Sequence, residues 1–277
     1  MTTVFADQWP SLPQSARLPI NKCDLPASIL GSITFQRHPQ PLHIDGIAVL
    51  YRDLFKRLDI IDQPANRSQY FQDYMAVKFR LDAPEDIGFN PQSKLDRRKA
   101  NYISVIKGWF FDPNNREAAV LKGWAESRFG LTPRYHHTHI DSLNDEAYHR
   151  FSQERAEGLY NTNALETQLD LVYSYCQYEL HRQHPEQTHY TLYRGSNRLT
   201  EFQTNKENNP IILLNNVNSF STCAERADEF GDKVIEVRVP ASKILFTSTL
   251  LPGLLKGEEE VLVLGGLYEV KLMLNCF

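Results

Sequence analysis

An α+β fold, helical first and β-rich after about residue 187, is predicted by a change in the spacing of apolar residues, by turn residues that recur through the last third, and by an ordinary globular composition. The 277 residues carry 42% hydrophobic and 23% charged side chains, enough for a sizeable core. One domain spanning 1–277 is expected, with 1–186 mainly helical and 187–277 a β-rich core. Thirty Lys and Arg against 34 Asp and Glu, mixed along the chain, give no basic footprint for nucleic acid. Met1–Leu12 has neither a basic n-region nor an apolar h-region, and no stretch approaches the roughly 20 apolar residues of a membrane span. A cytoplasmic location is therefore expected.

The helical elements follow from period and caps. Ile47, Leu50, Leu54, Leu58 and Ile61 recur at steps of three and four after Asp45, which lines one face of an amphipathic helix. Arg116 to Arg128 reads as a helix closed by Gly130. Leu165, Leu169, Val172, Cys176 and Leu180 mark another, capped by Asn161, Thr162 or Asn163, with Glu166 placed as in a capping box. The aromatic residues Tyr70, Phe71, Tyr74, Trp109, Phe110 and Trp124 are expected mostly in the core. These helices are expected to cover one side of the functional cleft.

After residue 187, β-branched and aromatic residues alternate with polar ones, which places strands at 188–194, 210–214, 233–239, 243–247, 259–264 and 267–274. A short helix, Ala224–Phe230, stops at Gly231. Cys23, Cys176, Cys223 and Cys276 are widely spaced and read as free thiols. The run Tyr135-His136-His137-Thr138-His139 holds potential ligands, but Pro133 suggests a loop and no second ligand pair answers it; no metal is expected.

Three small features carry chemistry. Tyr193-Arg194-Gly195 sets a five-donor guanidinium beside a glycine, suited to a bound phosphate; alone it reads more readily as a surface arginine before a turn. Ser219-Phe220-Ser221-Thr222-Cys223 offers hydroxyls that can orient a neighbouring carboxylate or arginine, or that can cap a helix. Gly257-Glu258-Glu259-Glu260 opens an apolar strand, so Glu258 and Glu260 can share a face, either as a working pair of carboxylates or as a solvated acidic turn.

Taken in order, these features resemble the R-S-E group of ADP-ribosyltransferases. That resemblance implies a split β-sandwich holding NAD, the co-substrate, in a cleft. Arg194 and Gly195 would lie on the dinucleotide phosphate side, and Ser221 would order the site. Glu260 would be the catalytic glutamate on the nicotinamide ribose, and Glu258 the upstream glutamate needed when the acceptor is arginine. Cys223 departs from the usual Ser-Thr-Ser motif.

Asn21–Pro26, Thr34–Pro39, Val120–Leu131, Gly158–Leu165, Leu169–Leu180 and the tail after Lys256 resemble, more narrowly, the dinitrogenase reductase ADP-ribosyltransferase family. This implies modification of one arginine of dinitrogenase reductase, the nitrogenase iron protein, and regulation by a PII-type signalling protein. The other readings are a toxin-like arginine ADP-ribosyltransferase and a catalytically idle NAD- or protein-binding module.

Overall fold

The computed structural model describes residues 10–82, 99–197, 210–251 and 260–273. Two short helices, α1 (Ala27–Leu30) and α2 (Ile33–Arg37), precede α3 (Ile47–Leu50) and α4 (Arg52–Ile60). The sequence predicts one helix across this last pair. Tyr51, at φ −115° and ψ 24°, interrupts it, so Ile47, Leu54 and Leu58 are buried while Leu50 is 74% exposed. Pro64 opens α5 (Pro64–Phe79) at a position where a missing N–H costs nothing. Asn101 caps α6 (Tyr102–Phe111) by accepting from the Ile103 N–H at 2.7 Å. Asn115 caps α7 (Arg116–Phe129), which Gly130 closes in the left-handed region at φ 71°.

A small hairpin, β1 (Tyr135–His136) and β2 (Thr138–His139), leads to α8 (Glu146–Gly158) and α9 (Ala164–Gln183). The five apolar residues that predict α9 are all buried. Its start differs from the expected capping box: Thr162 Oγ1 accepts from the Ala164 N–H, Asn163 makes no side-chain cap, and Glu166 pairs instead with Arg128 and Arg155. Opposite charge on neighbouring helices outcompetes the local reciprocal bond. Arg128 also forks onto Asp170, whose Oδ1 accepts from Trp124 Nε1 at 2.7 Å, joining α7 to α9. Deeper still, Arg67 of α5 forms a bidentate pair with Glu179 of α9 at 2.6 and 2.8 Å.

The strands β3 (His189–Ser196), β4 (Ile211–Ser221), β5 (Lys233–Pro240), β6 (Ile244–Thr247), β7 (Glu260–Glu269) and β8 (Lys271–Met273) form an antiparallel sheet ordered β6-β7-β4-β3-β5-β8. The short helix α10 (Ala224–Asp228) follows β4. Two expectations change. The strand expected at 210–214 runs on to Ser221, and Gly265-Gly266, expected as a break, lies inside β7. Both have one cause: the register shifts between Leu214 and Val217, so Asn215 and Asn216 together oppose Gly265 in a β-bulge. A Cβ at Gly265 would lie 1.7 Å from the Asn215 carbonyl oxygen, and Gly266 sits at φ 106°; neither position suits another residue.

The register between β3 and β4 is a single pair, Tyr193 with Ser221, among the described residues. The sheet therefore divides there into β6-β7-β4 and β3-β5-β8. Side chains of both parts share one apolar core: Ile212, Phe220, Val263 and Tyr268 from the first, with Leu192, Ile235, Val237 and Val239 from the second. This is a split β-sandwich. Gln36 of α2 binds both parts, donating from Nε2 to the carbonyls of Arg238 and Glu269 and accepting the Glu269 N–H at Oε1. On the opposite face, Leu213, Val217, Leu262, Leu264 and Leu267 pack against the helices in the larger core.

Lys243 is wholly buried, donates to the Gly265 carbonyl at 3.0 Å and stands 4.5 Å over the Tyr268 ring. Burial pulls its pKa down to about 7. Between that value and the ordinary lysine value the unfolded chain binds more protons, so stability rises with pH as the cost of taking the proton off the lysine on folding falls. Denaturant unfolding is expected to show a Lys243 contribution of at most about 1.4 kcal/mol per pH unit from about pH 7 to about 8.5. The rise should shrink in Lys243→Met.

Candidate active site

The site lies at the fork where the two parts of the sandwich separate. Ser221, the last residue of β4, is opposite Tyr193 on β3 and opposite Glu260 on β7, so one line across the sheet brings all three motifs together. Directly opposed residues in an antiparallel pair have Cα atoms roughly 4.5–5.5 Å apart. Arg194, one residue beyond Tyr193, crosses the fork and donates from Nη1 to the Ser219 carbonyl at 2.6 Å. Its burial lowers the guanidinium pKa, while the nearby Glu260 carboxylate acts to raise it. An arginine remains charged despite such a pull.

A cleft of about 650 Å³ opens at this point. Arg194, Gly195, Ser221 and Glu260 line it, together with Trp109 and Phe110 of α6, Tyr135 of β1, and Phe230 beyond α10. That volume lies within the roughly 300–1,000 Å³ usual for small-molecule sites. A guanidinium on one wall, a carboxylate on another and several aromatic faces between them suit a ligand combining phosphate, sugar hydroxyls and flat rings. The residues present thus fit a dinucleotide.

The individual motif residues sit as follows. Ser221 does not cap α10; its Oγ accepts from the Cys223 N–H at 3.0 Å, which fixes the hydroxyl at the strand end. Cys223 is absent from the cleft lining, and its thiol donates to Glu225 at 2.8 Å. Gly195 has a reason beyond ligand approach: a Cβ there would stand 1.9 Å from the Ala227 carbonyl oxygen, so α10 docks on the glycine. Glu258 lies outside the described residues, as do Glu259 and Cys276. Cys23, Cys176 and Cys223 are free thiols.

Some contributors escaped the sequence reading. Trp109, expected as core, is buried but also donates from Nε1 to Ser219 Oγ at 2.8 Å, tying α6 to the cleft wall. Asn215 reaches from the bulge to hold β1, accepting from the Arg134 N–H and donating to the Tyr135 carbonyl. Asn216 donates to the carbonyls of Lys122 and Leu131. An Asn-Asn pair reads locally as a turn, so no short-range signal marks it as a bulge within a strand.

The family model described as dinitrogenase reductase ADP-ribosyltransferase (DRAT) matches residues 20–272. The chain belongs to this family. It is 40% identical over 258 residues to the NAD(+)--dinitrogen-reductase ADP-D-ribosyltransferase of Rhodospirillum rubrum, a match covering 91% of this chain and 93% of that protein. No solved structure matches the chain. Among the described residues, no helix is long and apolar enough to cross a membrane. For a dinitrogenase reductase ADP-ribosyltransferase, the Cys223 departure is confined to a thiol turned towards Glu225.

Proposed function

We propose that this chain transfers ADP-ribose from NAD to an arginine side chain of dinitrogenase reductase, the nitrogenase iron protein, and so inactivates nitrogenase. The observation that carries the reading is the convergence of Arg194, Ser221 and Glu260 on one cleft at the fork of the sandwich. The relative's name supports the substrate. The protein works in the cytoplasm, and a PII-type signalling protein regulates it.

Bound NAD supplies a nicotinamide that leaves as a neutral base, with positive charge developing on the ribose as in glycoside cleavage. Arg194 holds the phosphate side of the dinucleotide with a planar donor fork, and Gly195 keeps the strand close enough to serve it. Ser221, held by its bond from Cys223, keeps the strand end in register with Glu260. Glu260 accepts a ribose hydroxyl hydrogen bond and places negative charge where the positive charge grows.

The acceptor guanidinium is a poor nucleophile while protonated. Glu258 binds it, aims one nitrogen and takes its proton as attack proceeds. Glu258→Gln is accordingly expected to abolish transfer to arginine while some NAD hydrolysis persists, read by separate assays of labelled protein and released nicotinamide. Arginine modification at the normal rate in that variant would remove Glu258 from this role.

Incubation with labelled NAD and purified dinitrogenase reductase tests the whole reading. Label on an arginine of that protein is the expected result. Label only on other proteins would favour a toxin-like transferase, and NAD binding without label an idle module.

A further inference from the structure

Behind the cleft wall at Tyr135, the β1–β2 hairpin turns through His137, whose φ of 58° lies in the left-handed region. Consecutive strand residues normally point to opposite faces. The left-handed step at His137 folds the second imidazole back beside the first, with ring centroids 4.6 Å apart. A non-glycine residue held there is strained, and such strain clusters at functional sites. Glu154 comes in from α8 to meet both rings: its Oε2 lies 2.9 Å from His136 Nε2 and 3.2 Å from His137 Nε2. The donor atoms of the three residues all fall within 4.8 Å of one another.

We propose that His136, His137 and Glu154 form a binding site for a divalent transition metal ion of the zinc class. Two imidazole nitrogens and one carboxylate oxygen are the donor set such ions take when one coordination position is left open. The ion has a way in: the His136 side chain is fully buried, whereas those of His137 and Glu154 are 41% and 26% exposed. They face a surface depression that is also lined by Asn114, Arg150 and Gln153.

Outer contacts hold the ligands in place. Lys122 Nζ stands 3.2 Å from His136 Nδ1, and Asn114 Oδ1 accepts the His137 N–H. With Lys122 donating to Nδ1, the neutral His136 ring carries its hydrogen on Nε2 and gives it to Glu154. A metal ion on Nε2 therefore takes the place of that hydrogen: the single ring proton moves to Nδ1, Lys122 accepts it as a neutral amine, and the proton that Lys122 gives up leaves to solvent. Because Lys122 must give up a proton for His136 to ligate, the affinity is moderate. Lys122 and Asn215 both donate to the Tyr135 carbonyl, so an ion pinning α8 to the hairpin also stiffens the cleft wall.

The test is a Co²⁺ titration of the metal-stripped full chain, followed by the visible d–d bands of imidazole-coordinated cobalt and by their loss when Zn²⁺ is added. Zn²⁺ should also raise the Tm. His137→Gln and Glu154→Gln, both near the surface and checked for folding by circular dichroism, should weaken Co²⁺ binding by more than roughly tenfold and remove the Tm shift. His139→Gln, on the facing strand but outside the cluster, should change neither. The proposal is overturned if the wild-type chain shows no cobalt spectrum at sub-millimolar Co²⁺. It is equally overturned if the spectrum survives in the His137→Gln/Glu154→Gln double variant.

Discussion

Glu260→Gln is expected to slow ADP-ribose transfer by roughly two to three orders of magnitude, about 3–4 kcal/mol of barrier, while NAD binding changes much less. The amide keeps the size of the side chain and its capacity to accept a hydrogen bond from a ribose hydroxyl. It loses the negative charge, and that charge matters most as the nicotinamide bond opens. The setting strengthens the effect: Glu260 is half-buried and opposite Ser221, and it is the carboxylate that Arg194 feels. Single-turnover rates with saturating NAD, alongside calorimetric NAD binding and a thermal melt, separate lost chemistry from lost binding or folding. Wild-type transfer by this variant would take Glu260 out of the mechanism.

The second large effect concerns stability. Arg67 and Glu179 are 2% and 1% exposed, and Arg67 Nη1 also donates to the carbonyls of Ile61 and Asp62. Glu179→Ala leaves a guanidinium buried without its carboxylate, which costs about 3–5 kcal/mol. For a chain of this size that corresponds to a Tm lower by on the order of 10 °C. The double variant Arg67→Met/Glu179→Leu, which removes both charges and restores apolar volume, should recover most of the loss. A Glu179→Ala protein melting within a degree or two of wild type would contradict this account. Because neither Arg67 nor Glu179 lines the cleft, kcat at low temperature should be nearly unaffected.

Much of this was legible in the sequence because the signals are local. The periodic apolar residues of α9, the Gly130 end of α7 and the alternation through β3 and β5 each depend on neighbours within a turn or a strand. What was hidden depends on partners far away. Glu166 reads as a capping residue until Arg128 and Arg155 are placed beside it. Gly265-Gly266 reads as a break until Asn215-Asn216 is set opposite. Trp109 reads as plain core, since nothing near it announces Ser219. The order of Arg194, Ser221 and Glu260 was visible, but their meeting on one line required the register of three strands. For the same reason nothing in the sequence set Glu154, from the next helix, beside the histidines at 136 and 137.

The lone rung between Tyr193 and Ser221 has a mechanical meaning. Among the described residues, backbone pairing joins the half-sheets at that pair, and the Arg194 guanidinium supplies a further tie beside it. A molecule gripped as proposed, by Arg194 on one half and Glu260 on the other, would act as a rivet through a sparsely stitched seam. Loading the cleft would then stiffen the seam, and product departure would free it again.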